Sequence, residues 1–270
     1  MPFPGPMRPQ VRTSGRASAS RSIVDALTVP LIVVLHTVLQ DPTESQRAIL
    51  LRLLAAADTV VTMTETARRR LVAGYGADPA RLTVIPHGAV DHGAGSTPRP
   101  AAARPLVLTW GLIGPGKGIE WAIDAMAGLR DLQPRYLVTG RTHPKVVQRD
   151  GEAYRDGLRQ RARDNGVPDL VELDDRYLGA AELAELVQAA DVVLLPYDSR
   201  EQVTSGVLIE AVAAGRPVVS TAFPHAIELL ADGMAGQAAG KAPELFWAAV
   251  AGRYRAVATG LVATDLAGVS

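Results

Sequence analysis

Short apolar runs alternate with segments of helical periodicity along most of this 270-residue chain. The apolar runs are too short for helices and are typical of buried strands, whereas the segments between them carry apolar residues at the spacing of one helix face. In the first part of the chain, strands are predicted at 30–35, 59–63 and 82–85, and helices at 42–56 and 64–75. The spacing in the first helix directs four residues toward a core: Ala48, Leu51, Leu54 and Ala55.

The same alternation continues in the second part of the chain. Strands are predicted there at 106–110, 135–139, 171–173, 191–195 and 217–220. Helices are predicted at 118–129, 152–165, 180–189, 206–214 and 226–231. Short apolar strands between helices predict an α/β fold with parallel sheets that helices cover on both faces. Ligands of such sheets bind beyond the carboxyl ends of the strands, so polar residues in those loops are the first candidates for a site.

Composition along the chain predicts its domain boundaries. Residues 1–22 are rich in Pro, Ser, Gly and Arg and lack the apolar segment of a signal peptide, so we predict a disordered leader. Residues 93–104 combine Pro, Gly and Ala without periodicity, which is typical of an interdomain linker. We therefore predict a small first domain over 23–92, a second domain over 105–245 and a closing segment over 246–270.

Charge and residue usage exclude several classes of function. Lys plus Arg equals Asp plus Glu at 28 each, so no basic field favours nucleic acid or an anionic membrane surface. No apolar run approaches the roughly 18–20 residues of a membrane span. The chain has no Cys, and its five His are scattered without ligand spacing, so we predict neither disulfides nor a metal site. The composition predicts a cytoplasmic protein.

A glycine-rich loop, Gly111 to Gly118, lies between a predicted strand and a predicted helix. Glycines there let backbone amides approach an anion, the helix start adds partial positive charge, and Lys117 adds a full charge. We therefore predict a phosphate-binding loop that includes Gly114 and Gly116. The spacing approaches that of a nucleoside-triphosphate P-loop, which needs Ser or Thr after the lysine, where Gly118 stands here. A plain turn with a solvated lysine is the structural alternative.

A second candidate site lies within residues 202–221. Glu210 stands on a helix among apolar residues, where a carboxylate is costly to bury without a polar partner such as a sugar hydroxyl. The preceding Thr204, Ser205 and Gly206 offer backbone amides to an anion at the start of that helix. The alternative is a carboxylate at the helix edge that faces solvent.

Other polar residues near strand ends have weaker signals. His36 and His143 each follow a predicted strand, and an isolated histidine in such a place is more often structural than catalytic. His87, in the sequence IPHG, is predicted to shape the start of the linker. Three acidic residues are predicted to be caps or surface carboxylates: Asp58, Asp191 and Glu228.

Several motifs occur in an order that resembles one family. IPHG, GLIGPGKG, GRTHP, ADVVLLPY and SGVLIEAVAAGRPVVST resemble retaining GT-B glycosyltransferases of glycosyltransferase family four, over roughly Pro30 to Gly233. The resemblance implies two Rossmann-like domains facing a cleft, with a partial acceptor-side domain first and a near-complete nucleotide-sugar-binding domain second. It implies transfer of a sugar from a nucleotide-diphosphate sugar with retention of configuration, without metal or cofactor. The acceptor could be a sugar, a lipid-linked sugar or a polyol.

The resemblance also assigns roles to individual residues. Lys117 corresponds to the lysine that contacts the diphosphate, Glu210 to the carboxylate that holds the ribose, and His36 to a histidine near the donor sugar; these three are the expected catalytic residues. The family's other signature carboxylate falls on Gln202, which can still donate and accept hydrogen bonds. Glu201, one place earlier, is expected to point elsewhere. The expected donor-binding residues are Gly114, Gly116, Lys117, Gly118, Gln202, Thr204, Ser205, Gly206 and Glu210.

The chain also departs from the family pattern. Leu112 stands where the family usually has an arginine, the first domain is short, and an internal shortening is expected between Gly233 and Pro243. Residues Trp247 to Tyr254 resemble the family's closing helix, which crosses back to the first domain, so 246–270 is predicted to be this helix and a tail. An incomplete first sheet would expose a strand edge and an apolar face, so we expect association or poor solubility.

These departures leave two hypotheses open. The first is an active glycosyltransferase. The second is a truncated, catalytically inactive remnant that still binds a nucleotide sugar. A nucleotide-sugar epimerase on the same fold is disfavoured because the carboxylate set that it needs is not found in the sequence.

Overall fold

The computed structural model describes residue 24 and residues 27–91, 104–230 and 242–267. The predicted leader, all but the last residue of the predicted linker, and most of the region of the expected internal shortening lie outside the described residues. The described residues form two parallel sheets with helices packed against them. We call the parts built on these sheets the first unit and the second unit.

The first unit contains a three-stranded parallel sheet in the order β1-β2-β3. Its strands are β1 (Ile32–Leu35), β2 (Thr59–Thr62) and β3 (Leu82–Val84), and its helices are α1 (Glu44–Ala56) and α2 (Glu65–Tyr75). Within the described residues β1 pairs on one side only, with β2. The apolar residues between strands and helices form one core cluster, and the opposite face of the sheet carries a smaller one.

The prediction for α1 is right about the helix and mostly wrong about its buried face. Thr43 caps the helix by accepting a hydrogen bond from Gln46 N–H. Leu54 is buried as predicted. The other three predicted core residues are exposed: Ala48, Leu51 and Ala55. A sheet of three short strands presents only a narrow surface to the helix, so most of the apolar positions extend beyond it.

The second unit contains a five-stranded parallel sheet in the order β6-β5-β4-β7-β8. The strands are β4 (Leu106–Trp110), β5 (Arg135–Thr139), β6 (Val171–Asp174), β7 (Val192–Leu195) and β8 (Val218–Ser220). The helices are α3 (Ile119–Ala127), α4 (Pro144–Asp150), α5 (Ala153–Asp164), α6 (Ala180–Ala189), α7 (Gly206–Ala213) and α8 (Pro224–Leu230). The strand order reverses between β4 and β7, and open parallel sheets bind ligands at such a point.

The chain ends with two further helices, α9 (Ala242–Leu245) and α10 (Trp247–Ala267). Ala89 N–H donates to Leu245 O at 2.8 Å, and Trp247 N–H donates to Ala89 O at 3.0 Å. From there α10 passes to the first unit, where the buried Val250 packs with Val61 and Ile85. Helix α10 therefore covers the second face of the first sheet. None of the described helices combines the length and the apolar character that crossing a bilayer requires.

Candidate functional site

The carboxyl ends of β4 and β5 open onto a cavity of about 160 Å³. Its walls are mainly apolar, and its rim carries the Arg141 guanidinium 5.4 Å from the centre of the Tyr177 ring. The lining residues are Trp110, Gly111, Leu112, Thr139, Gly140, Arg141, Tyr177, Leu178 and Leu183. An apolar cleft with a cation and an aromatic ring at its rim suits a planar, aromatic ligand group.

Glu210 lies beside this cavity because Trp110 links the two. Trp110 ends β4, is 4% exposed and lines the cavity. Its indole N–H donates a hydrogen bond to Glu210 Oε2, with an N–O distance of 3.3 Å. The half-buried carboxylate on α7 thus has a polar partner, which offsets part of the cost of placing a charge among apolar residues. The indole also fixes the direction in which the carboxylate faces.

The glycine-rich loop is packed so closely that two of its contacts exclude a side chain. Gly118 has φ +63°, and a Cβ atom there would lie 1.7 Å from the carbonyl oxygen of Pro196. A Cβ atom on Gly140, in the loop after β5, would lie 2.1 Å from Gly111 O. Position 118 therefore has no room for the Ser or Thr that a P-loop needs, and the P-loop interpretation is excluded.

Lys117 belongs to this loop, and its side chain lies above an aromatic ring. Its Nζ atom is 4.1 Å from the centre of the Tyr197 ring, and burial lowers the pKa of its ammonium group. Asp198 N–H donates to Gly116 O at 3.0 Å and so joins the loop to the residues after β7. A half-buried cation above a ring is stabilised further when an anion arrives. The expected interaction of Lys117 with a diphosphate stays a prediction.

The loop that precedes α7, residues 199–205, is braced by the second unit. We call it the donor loop, after the donor contacts expected of Gln202, Thr204 and Ser205. Ser205 caps α7 by accepting from Leu208 N–H, and its own N–H donates to His225 Nδ1 at 2.7 Å. His225 N–H in turn donates to Gln202 O at 3.2 Å. Burial lowers the pKa of His225 to about 4, so the ring is neutral and its Nδ1 atom can accept. The Gln202 side-chain amide donates to Thr204 O within the same loop.

His87 of the first unit lies against the start of α7, and the His36 ring lies beside the His87 ring. Their ring centres are 6.3 Å apart. A Cβ atom on Gly206 would lie 3.2 Å from His87 Cε1, and the His87 ring centre is 5.6 Å from that of Trp247. His87 Nδ1 lies 2.7 Å from Gly88 O, which can only accept, so Nδ1 carries a proton and donates this hydrogen bond.

Sequence reasoning missed the position of His87 against α7. The signal that could have found it is IPHG itself, because its histidine follows a strand end of the first unit, as His36 does. His143 is structural, as expected: its Nδ1 atom accepts from Lys145 N–H at the start of α4.

The three acidic residues predicted as caps or surface carboxylates all accept backbone hydrogen bonds. Asp58 accepts from Leu31 N–H and Asp191 from Leu106 N–H, at 2.7 and 2.6 Å. Glu228 accepts from the N–H groups of Glu65 and Thr66, both at 2.7 Å. Glu228 therefore caps α2 across the boundary between the units.

Two family models match this chain. Residues 104–254 match the family described as "Glycosyl transferases group 1", and residues 11–91 match "Glycosyltransferase Family 4". The D-inositol 3-phosphate glycosyltransferase of Kineococcus radiotolerans is 31% identical over 204 residues, covering 70% of this chain and 45% of that protein. The chain thus spans about half the length of the curated relatives that it matches.

Solved structures share the fold. An α,α-trehalose 6-phosphate synthase from Burkholderia multivorans aligns with a TM-score of 0.70 at 14% identity, over 94% of this chain and 69% of that one. Anabaena HepE in complex with UDP aligns with a TM-score of 0.65 at 19% identity, over 93% and 75% of the two chains. The expected GT-B fold is confirmed. Because one family model covers more than half of its residues, the chain belongs to the glycosyl transferases group 1 family.

Proposed function

We propose that this chain transfers a sugar from a nucleotide-diphosphate sugar to an acceptor with retention of configuration, without a metal or a cofactor. The observation that carries the proposal is the hydrogen bond from Trp110 to Glu210, which joins a carboxylate to an apolar cavity at the point where the strand order reverses. Membership of the family supports glycosyl transfer, and the UDP complex of the HepE structure supports a uridine nucleotide. The transfer would take place in the cytoplasm, as the composition predicts.

The nucleoside would occupy the cavity beside Glu210. Its base would lie between the apolar walls of the cavity and the rim formed by Arg141 and Tyr177. A flat ring placed there would exclude water from the cavity walls and from the rim. Its ribose would then face Glu210, because Trp110 lines the cavity and orients the carboxylate. A carboxylate oriented in this way is a strong acceptor for ribose hydroxyl groups.

The diphosphate would lie between the glycine-rich loop and the start of α7. Lys117 and the backbone amides of 114–118 would stabilise the negative charge that develops on the diphosphate as the bond to the sugar breaks. Burial lowers the pKa of Lys117 in the free protein, and a neighbouring diphosphate would raise it again. The charge of the leaving group would therefore be neutralised by the protein.

The sugar would lie between the donor loop and the first unit. Gln202, Thr204, Ser205 and Gly206 would contact it or the distal phosphate from the second unit, and His36 would face it from the first. The acceptor would be a sugar, a lipid-linked sugar or a polyol.

A second candidate function is binding of a nucleotide sugar without transfer. Two observations favour it: Leu112 is exposed where the family usually has an arginine, and the Gln202 amide is engaged within its own loop. Both weaken the contacts expected for the diphosphate and the sugar.

The decisive experiment measures binding and turnover of UDP-glucose and GDP-mannose, over a panel of sugar and polyol acceptors. We expect Glu210→Ala to weaken binding of the nucleotide sugar by about tenfold or more and to abolish turnover. Glu172→Ala, an exposed carboxylate on β6, is the matched control and should leave both unchanged. Binding without turnover would support the second candidate, and the absence of any nucleotide binding would overturn both.

A further inference from the structure

The donor loop is held from both units. On one side, His225 of the second unit accepts from Ser205 N–H and donates to Gln202 O. On the other side, Val203 is 1% exposed and belongs to the core cluster of the first unit, together with Val38 and Leu71. A loop of the second unit thus contributes to the core of the first.

Arg70, on α2 of the first unit, makes the polar part of this contact. Its Nη1 donates to Val38 O at 3.0 Å and to Glu201 Oε2 at 2.9 Å, and its Nη2 donates to Arg200 O at 2.9 Å. Only 14% of its side chain is exposed. Three acceptors around one guanidinium use its planar, multiply donating geometry, which a lysine cannot reproduce.

Glu201 extends the contact to the segment that carries His36. Its Oε2 atom also accepts from Gln40 N–H at 2.8 Å. Arg70 and Glu201 therefore join residues 38–40, which follow His36 after one intervening residue, to the donor loop. In the proposed function these are the two walls of the sugar site. Arg70 and Gln40 both hold the Glu201 carboxylate, so we expect it not to contact the sugar.

We infer that Arg70 is a positioning residue, which sets the donor loop against the His36 segment so that both walls can contact the donor sugar. This inference rests on the proposed function. The nucleotide contacts, namely the cavity, Glu210 and Lys117, lie on other elements of the second unit. Loss of Arg70 should therefore weaken binding of the sugar part of the donor and leave binding of the nucleotide part unchanged.

The test compares UDP with UDP-glucose on the full 270-residue chain by isothermal titration calorimetry. In Arg70→Gln we expect the Kd for UDP-glucose to rise about tenfold or more, since charge-assisted hydrogen bonds are lost, while the Kd for UDP stays within about twofold. Arg70→Lys should recover part of the loss because it restores one ion pair. GDP with GDP-mannose serves as a parallel pair.

Two variants serve as controls. Arg68→Gln removes a guanidinium from the same helix, where Arg68 pairs with Glu65 at 2.8 Å, and should leave both Kd values unchanged. Glu228→Gln weakens the cap that joins the units without touching the donor loop. Glu228→Gln should change the Kd for UDP and the Kd for UDP-glucose by smaller factors than the rise in the Kd for UDP-glucose in Arg70→Gln. If Arg70→Gln fails to fold cooperatively, Glu201→Gln is tested instead. In that variant Arg70 still donates to the carbonyl oxygens of Val38 and Arg200.

The outcomes separate this inference from the proposed function. If the wild-type chain binds UDP-glucose and Arg70→Gln binds it equally well, or loses UDP and UDP-glucose to the same extent, the positioning role is wrong and the proposed function stands. If the wild-type chain binds no nucleotide or nucleotide sugar of either pair, the proposed function fails and the positioning role fails with it.

Discussion

The two units differ in how completely their sheets are covered. The second unit has five strands with a large core cluster on each face. The first unit has three described strands, one face covered by α1 and α2 and the other mainly by α10, which arrives from the end of the chain. The second unit therefore builds its cavity and glycine-rich loop from its own residues. The first unit contributes single side chains across the boundary, and its core clusters include Val203 and Val250 from later parts of the chain.

The largest expected effect tests the rigidity of the second unit. Gly118→Ala places a Cβ atom 1.7 Å from the Pro196 carbonyl, so we expect a loss on the order of 3 kcal/mol or more in the free energy of unfolding. Gly116→Ala is the matched control, because Gly116 has φ +87° but no neighbouring atom within 4 Å. It should cost about 1–2 kcal/mol, from backbone strain alone. Equal losses of unfolding free energy in the two variants, measured by urea denaturation, would show that the loop can shift to accommodate the added methyl group.

The second prediction concerns how stability depends on pH through His225, which holds the donor loop. Burial lowers the pKa of His225 to about 4 from an ordinary value of 6.5. Between these two pH values the unfolded chain binds a proton that the folded chain does not, so stability falls as the pH falls through this window and is fully present above pH 6.5. The total loss should be on the order of 3 kcal/mol.

His225→Asn provides the check on that prediction. Asparagine offers an acceptor near the place of Nδ1 for Ser205 N–H but does not titrate. We expect the variant to show a flatter dependence of the free energy of unfolding on pH between 6.5 and 4. An unchanged slope in urea titrations across this range would assign the acid sensitivity to another group.

The third prediction tests whether α10 completes the first unit. Val250 is 0% exposed against Val61 and Ile85. Val250→Ala should lower the free energy of unfolding by about 2 kcal/mol, and hydrogen exchange should accelerate chiefly in β1–β3. Val219→Ala, at a position 56% exposed on β8, should change stability by no more than about 0.5 kcal/mol. Faster exchange in β4–β8 instead would contradict the assignment of α10 to the first sheet.

The smallest effect concerns association through the first unit. Val34 on β1 is 36% exposed, and Ile49 and Leu51 on α1 are 41% and 39% exposed. We expect weak, concentration-dependent association of the isolated chain, and Val34→Lys should reduce it because a charge on an edge strand opposes pairing. Sedimentation at increasing concentration checks this. A monodisperse wild-type chain would contradict the expectation.

Much of the fold could be predicted from the apolar pattern. The strands 106–110 and 135–139 and the helix 180–189 were predicted with the bounds that the structure has. Helix α4 was missed because it is short and carries no apolar periodicity; Pro144 and the His143 cap define it locally. The full extent of α10 was not predicted either. The buried face of α1 was mispredicted because burial depends on the width of the sheet beneath the helix, which its own sequence does not encode.

The sequence by itself determined the alternating strands and helices, the glycine-rich loop and the family, because each depends on residues close together in the chain. Only the tertiary structure decided which partners the polar side chains have. Arg70 meets Glu201 across 131 positions of sequence, and Glu228 caps α2 across 163. Trp110 meets Glu210 across 100 positions. The pair of Trp110 and Glu210 forms only when the second sheet is folded, and the other two also need the units packed together. No local pattern specifies a partner that distant.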